Sequence, residues 1–187
     1  MSTRRDLLLA EMDRAYSRLR QRIEGLGDEE YFWEPVEGCW TIHPDPSGAW
    51  VHDYAEPDPD PPPFTTIGWR LAHLADCKVM YHEWAFGEAT LTFPELPALR
   101  SAPAARDRLE QGQLLLRQDL ENRADDDLDE LRLTNWGERW PAWRIFSVMT
   151  DHDALHGGEI GCLRDLYRQL REGSPGPSRT GLRPVLQ

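Results

Sequence analysis

Met12, Tyr16, Leu19, Ile23 and Leu26 recur at spacings of four, three, four and three, and this apolar stripe constrains the fold more than any other feature. Such spacing gives one buried face on an α-helix and cannot be laid out as an alternating strand. Thr3 followed by Asp6 resembles a capping box with Asp in place of Glu, and Gly25 and Gly27 supply a stop. A first helix is therefore predicted near residues 4–25. Three further segments read the same way. The second starts at an N-cap, Thr65 or Thr66, and ends at Gly87. The third follows Ser101 and Pro103, places Ala105, Leu109, Leu116 and Leu120 on one side, and stops before Asp125. The fourth opens at Pro141 and reaches about Leu170.

Between the first two helices, residues 34–64 break the pattern. Prolines crowd Pro57, Pro59, Pro61, Pro62 and Pro63, and can sustain neither helix nor central strand. A connection of roughly 30 residues is unusually long. Trp40, Trp50 and Tyr54 argue that it packs as a cover over one end of the helices, since a free linker rarely carries so many aromatics. No convincing strands are legible. Short connections favour antiparallel neighbours, so the expected architecture is all-α, a four-helix bundle over 1–171 with a long irregular insertion, followed by a flexible tail over 172–187.

Composition excludes several classes. With 40% apolar residues and eight tryptophans, the 187-residue chain can bury a core. No stretch approaches the roughly 20 apolar residues of a membrane span. The start Met1-Ser2-Thr3-Arg4-Arg5-Asp6 lacks a signal-peptide pattern, so a cytoplasmic protein is expected. A formal net charge of −12 argues against nucleic acid as partner. Cys39, Cys77 and Cys162 are too scattered for a disulfide framework or zinc ribbon, and Cys77 and Cys162 read as buried thiols. The acidic runs 56–60 and 125–130 read as solvated loops. Lys78 is the only lysine, a bias suggesting a high-G+C genome.

Histidines carry the chemistry. Positions i and i+4 of a helix lie about 40° apart, so His152 and His156 share the fourth helix's stripe with Ile145, Met149 and Leu163. Glu159 belongs to the same stripe. Trp69, His73, Cys77, Met80 and Trp84 form a stripe on the second helix, so His73 also points inward, whereas His82 should face water. Three inward imidazoles match a three-ligand metal site that leaves one position open; the alternative is core histidines hydrogen-bonded to carboxylates. Glu159 and Asp76 lie nearest the ligand stripes and are the acid–base candidates, while Asp151 and Asp153 flank His152 on an outward-facing line. Gly157, Gly158 and Gly161 suggest close approach by a backbone or ligand, or a local kink. His43 and His52 in the insertion read as surface residues. Asp153 holds the place of the zincin glutamate but is one methylene shorter, which argues against peptidase chemistry.

Leu71-Ala72-His73-Leu74-Ala75-Asp76, with His152-Asp153-Ala154-Leu155-His156-Gly157-Gly158-Glu159-Ile160 far downstream, resembles the DinB-like superfamily over roughly residues 5–170. Asp28-Glu29-Glu30-Tyr31-Phe32-Trp33-Glu34-Pro35 and Pro62-Pro63-Phe64-Thr65-Thr66-Ile67 add to the likeness. The resemblance implies an up-down-down-up bundle, often homodimeric, with His73, His152 and His156 holding one divalent ion, commonly zinc or nickel. Related members include S-transferases using bacillithiol or mycothiol, and a mycothiol-dependent isomerase, so a low-molecular-weight thiol and a small-molecule substrate are implied. Many members have no known activity, and a non-catalytic metal-binding or stress-response module is the alternative. The second histidine is often followed by Arg-Gly-Gln; Gly157-Gly158-Glu159 departs from this, and Glu159 reads either as a fourth ligand or as a base.

Overall fold

Thr3 caps the first helix as its sequence suggests. Its hydroxyl accepts from the Asp6 amide at 3.1 Å, and the Asp6 carboxylate accepts from the Thr3 amide at 3.1 Å, completing a reciprocal box. The helix, α1 (Arg4–Ile23), stops two residues short of the expected end, and Gly25 follows with a left-handed φ of +67°. A computed structural model describes residues 2–57 and 59–172. The expected tail lies outside this range apart from Glu172, which ends the last helix.

A short helix α2 (Asp28–Tyr31) follows, then α3 (Ile67–Phe86), α4 (Ala102–Glu121) and α5 (Ala142–Glu172). Thr66 and Ser101 cap α3 and α4 by accepting from the Trp69 and Ala104 amides. The protein is thus predominantly helical. Its four long helices share one core in which Leu19, Leu71, Leu74, Leu109, Leu116 and Phe146 are buried. Among the described residues, no helix is long and apolar enough to cross a membrane.

Two antiparallel hairpins correct the expectation of no strands. β1 (Ile42–Pro44) pairs with β2 (Trp50–His52) inside the insertion, and β3 (Leu131–Leu133) pairs with β4 (Arg139–Pro141) directly before α5. Strands of three residues are too short to show an alternating pattern, which is why periodicity missed them. Pro141 consequently ends β4 and does not open α5.

The insertion is packed. The Trp40 amide donates to the Phe64 carbonyl at 2.8 Å and the Thr66 amide donates to the Trp40 carbonyl at 2.9 Å, seating the loop at the start of α3. Asp53 accepts from the Thr41 amide, and the Asp53 carbonyl accepts from Trp69 Nε1 at 2.8 Å. The hairpin therefore holds a tryptophan one turn before His73. At the same end of the molecule, the buried Arg164 guanidinium bonds both carboxylate oxygens of Glu30 at 2.8 and 2.9 Å and the carbonyls of Arg22 and Glu24. That bidentate pair ties α5 to the end of α1 and to α2.

Candidate metal centre

His73, His152 and His156 converge as the two stripes require. On α5 the four-residue spacing puts the rings of His152 and His156 4.8 Å apart, centroid to centroid. The His73 ring lies 5.2 and 5.4 Å from them, almost perpendicular to each. One nitrogen from each imidazole can be chosen so that all three lie within 4.8 Å of one another. Nitrogens sharing a tetrahedral zinc sit about 2.0–2.1 Å from the ion, so small side-chain rotations close the set.

The state of these nitrogens fits a cation. His152 Nδ1 and His156 Nε2 are buried with no hydrogen-bond partner. Leaving such a group unsatisfied costs about 1–3 kcal/mol each, a penalty that a bound ion removes. Burial, reinforced by the neighbouring imidazoles, pushes His73 down to about 3. Burial, then His156 and Lys78, pushes His152 down to about 4. Both rings are therefore neutral near pH 7, the form that ligates a metal.

Two supports hold the rings. Trp69 stacks on His73 at 5.0 Å with planes 15° apart, and is itself fixed by its bond to the insertion. On the other helix, Glu159 Oε2 lies 2.7 Å from His156 Nδ1 and also pairs with Arg70. Burial pushes the Glu159 carboxyl up, but the His156 hydrogen bond and Arg70 outweigh it and hold the group below the usual carboxylate range. Glu159 stands outside the three-histidine cluster and meets His156 at Nδ1.

Asp76 is buried and accepts from Arg108 Nη1 at 2.8 Å; burial pushes its carboxyl up, and Arg108 offsets this only in part. It too stands outside the cluster. With His73 it lines a cavity of about 650 Å³ between α3, the β1–β2 hairpin and residues 93–99. Trp50 lines this cavity, whereas Trp40 packs behind it at 5.9 Å from Trp69.

Several other residues depart from expectation. Asp153, expected to face outward, is buried and forms an ion pair with Lys78 at 2.9 Å; Gln113 accepts from the same ammonium at 2.8 Å. The reason is that α5 packs against α1 on one side and α3 on another, so the position after His152 still faces protein. Asp151 is exposed as expected. His82 does not face water freely: its Nδ1 lies 2.6 Å from Asp119 on α4. His52 is half-buried against Trp69 at 5.1 Å and lines the cavity, while His43 remains near the surface paired with Asp53. Cys77 is buried near the His73 ring, but Cys162 is exposed. A Cβ at Gly157 would lie 3.6 Å from the Leu19 backbone and one at Gly161 3.0 Å from the Arg22 side chain, whereas one at Gly158 would meet nothing within 4 Å. Close approach of the α1 side chain Arg22 accounts for Gly161, whereas a Cβ at Gly157 would make only ordinary contact with Leu19.

The Lys78–Asp153 pair escaped sequence reasoning although a signal existed. The α3 segment is apolar on nearly all sides, so its lone lysine had few exposed directions available.

Comparison with curated proteins finds no match. Comparison with protein families finds one that spans residues 11–160, from within α1 to just beyond His156 on α5. That span takes in His73, His152 and His156, the residues already brought together by the fold. This chain belongs to the DinB superfamily.

Proposed function

We propose that the protein is a divalent-metal-dependent enzyme of the DinB superfamily, a transferase that uses a low-molecular-weight thiol of the mycothiol or bacillithiol type. The observation that carries this reading is the cluster of three imidazoles with two buried, unpartnered nitrogens, set beside a cavity large enough for a second reactant. His73, His152 and His156 would hold the ion, which we assign as zinc or nickel. When bound, such an ion supplies Lewis acidity to a thiol sulfur and lowers its pKa, so that thiolate is present near neutral pH.

The chain's own residues divide the remaining work. Asp76, with its carboxyl pushed up by burial, is the better proton acceptor, and it lines the cavity. Glu159, held down by His156 and Arg70, is the poorer base and orients His156. Trp50 and the insertion wall the cavity and limit the access of water.

The same reading includes an up-down-down-up bundle. Contacts supporting it rise together along α3 and α4, from Asp76 with Arg108 to His82 with Asp119. Between α3 and α5 they run oppositely, from His73 beside His156 to Phe86 beside Phe146. The link from α3 to α4 is long, which permits parallel neighbours where a short turn would not. A homodimer in the cytoplasm completes the assignment.

A non-catalytic metal-binding module is the competing reading, and it calls for a saturated four-ligand site. Glu159 is engaged by His156 and Arg70, which favours an open position instead. Metal-loaded protein incubated with mycothiol, bacillithiol or a simple thiol and a test electrophile should accelerate thiol consumption over the metal-free form. Absence of acceleration with every thiol, together with a cobalt spectrum indifferent to added thiol, would favour the module.

A further inference from the structure

We propose that the cavity beside His73 binds the uncharged aromatic or aliphatic body of the second reactant, and discriminates against molecules that carry a formal charge at that end. The inference rests on the reading that this cavity, about 650 Å³ in volume, takes the acceptor. Cavities of that size hold small organic ligands, and their walls set the class.

Here the walls are mostly apolar and aromatic, and Ile42, Trp50, Trp69, Leu96 and Leu99 are among the residues that line them. The charged groups among them are already engaged. Asp53 accepts from the Thr41 amide at 2.8 Å with one oxygen and faces His43 Nε2 at 2.9 Å with the other. Asp76 accepts from Arg108. Among the described residues, no lysine or arginine side chain lines the cavity. His52 is held neutral by burial, with its pKa pushed down to about 4. Asn135 contributes a neutral amide.

An entering anion would therefore meet two carboxylates and no cation. A cation would lose its hydration and find each carboxylate already paired, Asp53 with His43 and Asp76 with Arg108. Burying an uncompensated charge is costly, whereas an uncharged ring loses nothing comparable and gains contact with Trp50 and Trp69.

The test uses three probes that share one ring: 2-naphthylmethanol, 2-naphthylmethylamine and 2-naphthoate. Each is titrated into the full chain stripped of metal by chelation, because a bound ion would capture the carboxylate directly, and binding is read by ligand-detected NMR. The alcohol is expected to bind at least about tenfold more tightly than either ion, a gap of about 1.4 kcal/mol. Its binding should be lost in Ala98→Phe, which fills the cavity, and weakened about fivefold or more in Trp50→Ala. Far-UV circular dichroism decides which of the two variants is folded and therefore counts. The alcohol should also bind the metal-loaded chain. Equal or tighter binding of the amine or carboxylate, or alcohol binding unchanged in a folded variant, overturns the proposal. Since neither thiol nor turnover enters the readout, a failure of the transferase chemistry leaves this result standing, and the reverse also holds.

Discussion

His156 Nδ1 lies 2.7 Å from Glu159 Oε2, one turn further along α5. Because that carboxyl is held below the usual range, it is ionised near pH 7 and can only accept; Nδ1 must therefore be the donor. Donation from Nδ1 fixes the tautomer and leaves the lone pair on Nε2, the atom of this ring that is buried without a partner.

Glu159→Gln is accordingly expected to weaken metal binding by about 10–100-fold, the usual cost of losing a carboxylate behind a ligating histidine. Helix content should not change. Competition against a chromophoric chelator measures it, and an affinity equal to the parent chain would assign Glu159 no part in holding His156.

Lys78 and Asp153 form a buried pair, so removing one partner strands the other. Lys78→Met should lower unfolding stability by about 3–5 kcal/mol, and adding Asp153→Leu should restore a large part of it. Urea denaturation of the single and double variants gives the comparison. A single variant as stable as the parent would mean that the pair is not buried in solution.

Gly112 faces α3 so closely that an added Cβ would sit 2.7 Å from Lys78 Cβ. Alanine normally gains about 1 kcal/mol over glycine within a helix. Here overpacking, about 1–3 kcal/mol, should win, and Gly112→Ala is expected to melt below the parent in a thermal scan. An increase in melting temperature would show that α3 and α4 have room to part.

The pH dependence of the metal-free protein follows from His73, His52 and His152, lowered to about 3, 4 and 4 respectively. Their folded-state values lie below the unfolded value of about 6.5. The unfolded chain therefore binds more protons in between, and stability falls as pH drops from about 6.5 towards 4. Each histidine contributes at most about 1.4 kcal/mol per pH unit in that window. Urea midpoints at pH 7, 5.5 and 4.5 should decline in order. A flat series would mean that these rings are solvated.

Much of this site is legible in the sequence because helical periodicity is a local property. The positions of His73, His152 and His156 on apolar stripes need only a residue's own helix to be read, and the capping box at Thr3 is set within four residues. What stays hidden depends on the packing of one helix against another. Asp153 looks outward-facing on an isolated α5, and only the packing of α5 against α1 and α3 turns it into an internal partner for Lys78. His82 looks solvent-exposed until Asp119 is brought beside it. The β1–β2 hairpin is too short to announce itself, and its bond to Trp69 joins residues from two separate segments.

Elemental analysis of the purified protein beside a His73→Ala variant bears most directly on whether three imidazoles hold one ion. About one zinc or nickel per chain is expected in the parent, with near-complete loss in the variant and unchanged helix content. No metal in the parent, or equal metal in both proteins, would contradict it.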